Sequence, residues 1–445
     1  MRARSFTTEA SINELSPGGE GVAICTVEGE RRAVFVPGVV PGERVRVEVD
    51  PSRRPARGRL LEILDASPSR VTPPCQWVGR CGGCDWMHLS LDAQRAEHGR
   101  IVGRLLGVEP KSHPPARSLA YRTRARVHVE AKRGRVVAGM FARRSHEPAD
   151  VDTCIVLDPV LDRARNALPE WLEGARGRGE ARIALGRPPH PEEDRPRRAV
   201  LDLQWTGDLP AAVFGRIERA VTAGAIDGAR IFAGDVRVPA KIGDATPYIT
   251  GADGAPLRLA PGGFSQATEE GNVLLARRVA ELARELPPGP CVELHAGAGN
   301  LTVLLARDRS VTAVERDEEA CAAARANLEE RSLDARVVVA DAGSFAIPRG
   351  TKLVVLDPPR EGARATAEAL AANGGRASAP AVIYVACDPT TLARDVRTLV
   401  AAGWELGTVE TFEMFPHTSH VETVAVLVPS GTSKRSGPTT RDAER

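Results

Sequence analysis

What this 445-residue sequence has little of narrows its reading before any motif does. Lysine is nearly missing. Only Lys111, Lys132, Lys241, Lys352 and Lys434 occur, and every other basic residue apart from histidine is arginine. Aromatic residues make up 4% of the chain, too few for a surface built from ranks of stacking rings. No apolar run approaches the ~18–20 residues that span a bilayer. The stretch Met1–Phe6 has basic residues but no apolar core behind it, unlike a secretory signal. Eight cysteines in a chain this long do not make a disulfide scaffold, so reduced thiols and a cytoplasmic location are expected. Clustered cysteines then point to metal or catalysis. What remains, 42% hydrophobic and 27% charged residues, describes an ordinary globular protein of about three domains.

The formal net charge of +2 hides an asymmetry. Residues 1–150 hold 25 Lys and Arg against 17 Asp and Glu, whereas residues 151–445 hold 35 against 41. A net of +8 followed by −6 suggests a polyanionic partner for the first part, with a scattered basic surface as the plain alternative.

Residues ~10–65 read as short strands between turns, as in Ser16–Gly21 and Val45–Val49, and their even spacing predicts a small β-barrel. Cysteines, a helix over ~91–106 and a strand with a basic face at Arg122–Val129 follow, and residues ~197–260 are strand-rich. From ~270 the pattern changes to alternating helices and apolar strands. Helices are expected at Val273–Leu286, from ~301 and over ~317–330. Strands are expected at Cys291–Leu294, Val311–Val314, Val337–Val339, Leu353–Leu356 and Ala381–Val385. That alternation predicts a parallel α/β sheet of Rossmann-like type, ending in an antiparallel hairpin, Val409–Met414 with Val421–Val428. The polar tail after Pro429 reads as disordered. The expected division is 1–66, 67–262, 263–428 and a tail, 429–445. No internal repeat is evident.

Glu293-Leu294-His295-Ala296-Gly297-Ala298-Gly299-Asn300 joins a strand to a helix with glycines that allow close backbone approach. Glu315, 22 residues after Glu293, suits a ribose diol at the next strand's end. Asp341 and Asp357 end the two strands after that. Any one acid could simply cap its helix, but a row of them marks the ligand crevice of an open α/β sheet. The loop resembles the first motif of class I S-adenosylmethionine-dependent methyltransferases. Asp357-Pro358-Pro359-Arg360 resembles the catalytic loop of nucleic-acid methyltransferases, with Arg360 where enzymes that methylate base amines carry an aromatic.

Cys387 follows an apolar strand, and Asp388-Pro389 begins a helix. A thiol before a helix N-terminus is expected to have a lowered pKa. The run Ala386-Cys387-Asp388-Pro389-Thr390-Thr391-Leu392-Ala393-Arg394-Asp395 and the run Phe415-Pro416-His417-Thr418-Ser419-His420-Val421-Glu422 resemble the two signatures of the RNA 5-methyluridine methyltransferases. The resemblance covers nearly the whole chain. It implies Cys387 as nucleophile, Glu422 as base and Asp357 beside the uracil or the methyl donor. The element Phe264-Ser265-Gln266 implies a donor contact from Gln266, joined by His295, Gly297, Gly299, Asn300, Glu315, Asp341 and Asp357. Thr268, Asp388 and His295 depart from the family's usual Asn, Asn and aromatic.

Cys75, Cys81, Cys84 and the distant Cys154 read as ligands, and spacing alone allows zinc or an iron–sulfur cluster. The resemblance implies a [4Fe–4S] cluster, and for the first ~66 residues a TRAM domain, an OB-like RNA-binding barrel. With both features the chain is more similar to family members acting on 23S ribosomal RNA than to those acting on transfer RNA. The rivals are a cytosine-C5 or base-amine methyltransferase and an RNA-binding assembly factor without catalysis.

Overall fold

A computed structural model describes residues 5–27, 29–189, 192–193, 195–375 and 378–430. The expected tail lies, from residue 431, outside the described residues.

The first sheet contains β1 (Phe6–Ser11), β2 (Glu14–Leu15), β3 (Gly21–Val27), β4 (Glu30–Val36), β5 (Arg44–Asp50) and β6 (Ala56–Asp65), in the order β1-β5-β6-β4-β3-β2. Alternation dictates its core. Val45, Val47 and Val49 of β5 are fully buried, while Arg44, Arg46 and Glu48 between them turn outward. No ladder joins β1 to β2 among the described residues, so the barrel expected from the strand spacing is not closed by a pairing of its two end strands. The reason is local: β1 and β2 are two halves of one bent segment. The first half pairs with β5, the second with β3, and the break between them lets Ile12 donate to Glu43 O and Asn13 to Val22 O.

Next come α1 (Leu91–Leu106), β7 (Lys111–His113), β8 (Arg124–Lys132), β9 (Arg135–Gly139), α2 (Pro159–Trp171), β10 (Arg176–Leu185), β11 (Ala199–Asp208), α3 (Ala211–Thr222), β12 (Ile226–Ala233) and β13 (Ala240–Gly243). Helix α1 starts at Ser90, whose Oγ accepts from Ala93 N, and stops at Gly107, where φ is +74°. A second six-stranded sheet runs β13-β12-β11-β10-β8-β9. Leu161, Leu168 and Trp171 of α2 and Val213 and Ile217 of α3 pack with Val127, Ala181 and Leu203 of this sheet.

The rest comprises β14 (Tyr248–Thr250), β15 (Pro256–Arg258), α4 (Glu269–Glu285), β16 (Cys291–Leu294), α5 (Thr302–Leu305), β17 (Val311–Glu315), α6 (Glu318–Glu329), β18 (Arg336–Val339), β19 (Leu353–Leu356), α7 (Arg364–Asn373), β20 (Ala381–Ala386), α8 (Pro389–Ala401), β21 (Trp404–Phe412) and β22 (Glu422–Pro429). The helix expected from ~301 is a single turn, because Arg307–Ser310 leaves it by successive turn hydrogen bonds into β17. An eight-stranded sheet runs β18-β17-β16-β19-β20-β22-β21-β7. Strands β16 to β20 pair in parallel, and β22 lies antiparallel to both β20 and β21. Strand order reverses at β16 and β19, where open α/β sheets place their ligands. The outermost strand comes from far upstream: β7 pairs in parallel with β21, Lys111 opposite Glu410.

Candidate active site

The sheet register assembles the site. Leu356 of β19 lies beside Tyr384 of β20, so Asp357 and Cys387 leave neighbouring strands at the same edge. Ala386 faces Thr423 across the antiparallel pair, which sets Cys387 opposite Glu422 at the next step. Gln266 Nε2 donates to Asp357 Oδ2 at 3.4 Å. The structure thus brings together four residues separated by as many as 156 positions.

Burial controls their protonation. Glu422 is 2% exposed, and burial, reinforced by the Asp357 charge, holds its carboxyl far above the usual range. Burial also pushes Asp357 up, against the hydrogen bond from Gln266. Two crowded acids with no ion-pair partner among the described residues each disfavour the other's charge. Burial pushes Glu293 up to about 8, although Thr302 Oγ1 donates to its Oε2 at 2.6 Å.

Cys387 departs from the expectation of a lowered pKa. Asp388 does cap α8, its Oδ1 accepting from Thr390 N and Thr391 N, so the thiol does precede a helix N-terminus. Its pKa is nevertheless pushed up to about 12, first by burial and then by Glu422, with Arg360 opposing and Asp357 adding to the rise. A helix end contributes partial charge within one turn, and here desolvation and two facing acids outweigh it. Arg360 also meets His420 Nε2 at 3.3 Å. Arg124, the first residue of β8, lies close enough to feel the Cys387 charge. Its guanidinium sits 4.4 Å from the Phe264 ring centre, and burial lowers its pKa to about 10. Sequence reading singled out the basic strand and the unusual Arg360 without linking either to the thiol. The fold makes the link by bringing the start of β8 and the loop after Asp357 close enough to the thiol to feel its charge.

The glycine loop leaves β16 through His295, whose φ of +63° is unusual for a side-chain-bearing residue, then Gly297 at +55° and Gly299 at +83°. A Cβ on Gly297 would meet nothing within 4 Å, while one on Gly299 would press on Ala324 at 3.3 Å. The first glycine therefore leaves open space for a ligand, and the second allows the loop to pack on α6. Glu315 accepts from Gly297 N at 3.0 Å and from Arg316 N and Asp317 N, so it orients the loop it faces. Asp341 accepts from Ser344 N. Asn300 and Asn272 exchange amide hydrogen bonds at 2.7 and 3.0 Å, which commits the Asn300 side chain to α4 rather than leaving it open to a ligand. The partner Asn272 carried no sequence signal, being one polar residue on a buried helix face.

Cys75, Cys81, Cys84 and Cys154 line one cavity of about 40 Å³, together with Met87, Met140 and Arg122. Burial pushes Cys84 up to about 12, with Arg122 opposing and the other three thiols adding to the rise. Among the described residues, no three Cys, His, Asp or Glu side chains are grouped as a single metal ion requires. A groove of about 950 Å³ lies elsewhere, against His128, Phe141, Arg178 and Phe232 of the second sheet's region, and includes none of the catalytic candidates. No helix is long and apolar enough to cross a membrane among the described residues.

Comparison with known proteins agrees with this geometry. Residues 256–376 match the family described as Methyltransferase small domain, and residues 348–429 match tRNA (Uracil-5-)-methyltransferase. The 23S rRNA (uracil(1939)-C(5))-methyltransferase RlmD of Chromohalobacter salexigens is 32% identical, over 97% of this chain and 91% of its own. That of Halomonas elongata is 32% identical, over 97% and 92%. Among solved structures, Pyrococcus abyssi tRNA (uracil-54, C5)-methyltransferase in complex with S-adenosyl-L-homocysteine superposes with a TM-score of 0.71. It is 23% identical, over 95% of this chain and all of that one, and shares the fold. With such identity sustained from end to end, the chain belongs to the family of S-adenosylmethionine-dependent RNA uracil-C5 methyltransferases.

Proposed function

We propose that this enzyme methylates C5 of a uridine in 23S ribosomal RNA, with Cys387 as nucleophile and Glu422 as base. The observation carrying the reading is the register that sets Cys387 opposite the buried Glu422, with Asp357 beside them. The relatives' names supply the ribosomal substrate.

C5 of uracil is a weak nucleophile. When Cys387 Sγ gives up its proton to solvent and bonds to C6, the C5–C6 double bond opens, and C5 gains enolate character and takes a methyl group. Glu422 as carboxylate then removes the C5 proton, the Sγ–C6 bond breaks, and the thiolate leaves as the ring double bond returns. Covalent activation divides one hard step, and the base completes it. Asp357, kept neutral by burial, donates a hydrogen bond to an oxygen of the uracil or of the methyl donor. S-adenosylmethionine, when bound, supplies the electrophilic methyl group. Gln266, His295, Gly297, Gly299, Glu315, Asp341 and Asp357 would hold it, with Asn300 acting through its pair with Asn272.

RNA carrying 5-fluorouridine at the target should form a denaturation-resistant adduct, because fluorine at C5 cannot be removed as a proton. Cys387→Ala should form none. No adduct from the intact enzyme overturns the mechanism. Mapping 5-methyluridine in cells with and without the gene separates the ribosomal from the transfer-RNA substrate.

The reading extends to the remaining chain. Residues 1–66 act as a TRAM-like RNA-binding module, 67–262 carry the cysteines, 263–428 carry the chemistry, and the enzyme works in the cytoplasm. Cys75, Cys81, Cys84 and Cys154 would hold a [4Fe–4S] cluster, which would supply cross-linking and order. Zinc draws four sulfurs to about 2.3 Å from one centre, whereas a cluster anchors each on a different iron. What supports the reading is that all four thiols line one cavity. Protein purified without oxygen should contain iron and sulfide in equal amounts and absorb visible light. Zinc alone overturns this.

A further inference from the structure

The hairpin between β21 and β22 is unusual for a loop. Ladder pairing ends at Phe412 opposite Glu422, so the base is the last paired residue and residues 413–421 form the connection. Most connections run over the surface, yet Glu413, Met414, His417, Thr418 and Val421 are buried here. Buried backbone needs partners. It finds them more than 300 residues upstream, beside the cysteines.

His417 N donates to Gln94 Oε1 at 2.7 Å, and Trp86 N donates to His417 O at 3.0 Å. Gln94 Nε2 donates back to Leu89 O at 2.8 Å and Trp86 O at 3.2 Å, which fixes the amide's orientation. Ser419 N donates to Asp85 Oδ1 at 2.9 Å. Tyr121 OH donates to Pro416 O at 3.1 Å. His98 meets Glu413 at 2.9 Å and stacks on Trp86. A turn of the first sheet closes the arrangement: Trp86 Nε1 donates to Gly19 O, and a Cβ on Gly19 would strike Asp85 and Ser419. At the centre His417 holds a φ of +70°, which costs a histidine energy unless its surroundings impose it. The bonds to His417's own N–H and carbonyl both come from the segment that begins one residue after Cys84, and the turn bond from Thr418 N to Phe415 O closes over it.

We propose that Asp85 and Gln94 are positioning residues for the base: they hold the strained loop so that Glu422 leaves the ladder aimed at Cys387. They touch no reacting atom. The proposal rests on the assignment of Glu422 as base. It gives the thiol-bearing segment a duty in the elimination step, distinct from RNA binding.

The test compares Asp85→Ala, Asp85→Asn and Gln94→Ala in two assays. The first is adduct formation with 5-fluorouridine RNA, which needs the thiol but not the base. The second is turnover on ordinary RNA, which needs both. Asp85→Ala and Gln94→Ala should form the fluorinated adduct within about twofold of wild type, with unchanged RNA KM. Their turnover should fall on the order of 10²-fold, and ordinary RNA should accumulate as covalent adduct. Asp85→Asn keeps an acceptor for Ser419 N and should restore turnover. Wild-type turnover by Asp85→Ala, or loss of both activities in equal measure, overturns the proposal. Failure of the wild-type enzyme to form any adduct overturns the base and nucleophile assignments instead.

Discussion

Acids in the first sheet and acids at the ligand edge of the third are the same chemical groups under opposite conditions. In the first sheet Glu9 meets Arg44 and Arg46, Glu62 meets Arg46, and Glu48 meets Arg59, all at the surface. At the ligand edge Glu293 and Glu422 are buried and Asp357 is half-buried, with no such pair among the described residues, and each is pushed toward its neutral form. Surface pairs contribute little stability and exchange readily for phosphate contacts. Buried acids destabilise the free enzyme and place proton acceptors where the chemistry needs them. The first sheet is therefore balanced in charge, with ten arginines against ten acids in residues 1–65, and the N-terminal excess of positive charge lies in residues 66–150.

The largest break in this comparison comes from removing the buried acid proposed as the base. Glu422→Gln should slow turnover by about 10²–10⁴-fold while adduct formation persists, so ordinary RNA should remain attached to the protein in a denaturing gel. Rapid turnover by this variant removes Glu422 from the mechanism.

A smaller effect separates stability from chemistry. The fold favours neutral Glu293, so its contribution is present below the ordinary carboxyl range near about 4 and is lost as pH rises toward about 8. The melting temperature of the ligand-free enzyme should therefore fall across that interval. Glu293→Gln should flatten the fall by about 2–4 °C, read by calorimetry at several pH values. No paired acid of the first sheet should behave this way.

The smallest effects lie at the surface. Arg46→Ala or Arg59→Ala should change stability by no more than about 0.5 kcal/mol. If those arginines contact RNA, each loss should also reduce the slope of log affinity against log salt by about 0.7. An unchanged slope would confine them to their ion pairs.

Much of the third sheet was legible because apolar strands of four to six residues alternate with capped helices. Leu353–Leu356 and Ala381–Ala386 carry that signal, and Asp388-Pro389 marks the helix start. Strand β7 was not legible, since Lys111-Ser112-His113 has no apolar alternation and is held by His113 stacking on Phe412 and bonding to Glu410. The thiol's position was legible but its ionisation was not, because desolvation depends on Glu422 and Asp357 arriving from elsewhere. Likewise the residues holding His417 come from a segment whose visible signal was cysteine spacing.

The pairing of β7 with β21 also constrains how the chain comes into being. Ser112 and Thr411, joined by a 2.8 Å hydrogen bond, are 299 residues apart. A ribosome adding about 5–20 residues per second leaves the earlier strand waiting roughly 15–60 s for its neighbour. The first two sheets have all their strands long before that, whereas the third sheet is sealed only after β21 has been made. Cutting the C-terminal half free would leave β21 as an open edge, a template for joining other chains. The amino-terminal half is thus part of what keeps the catalytic half soluble, apart from anything it contributes to binding.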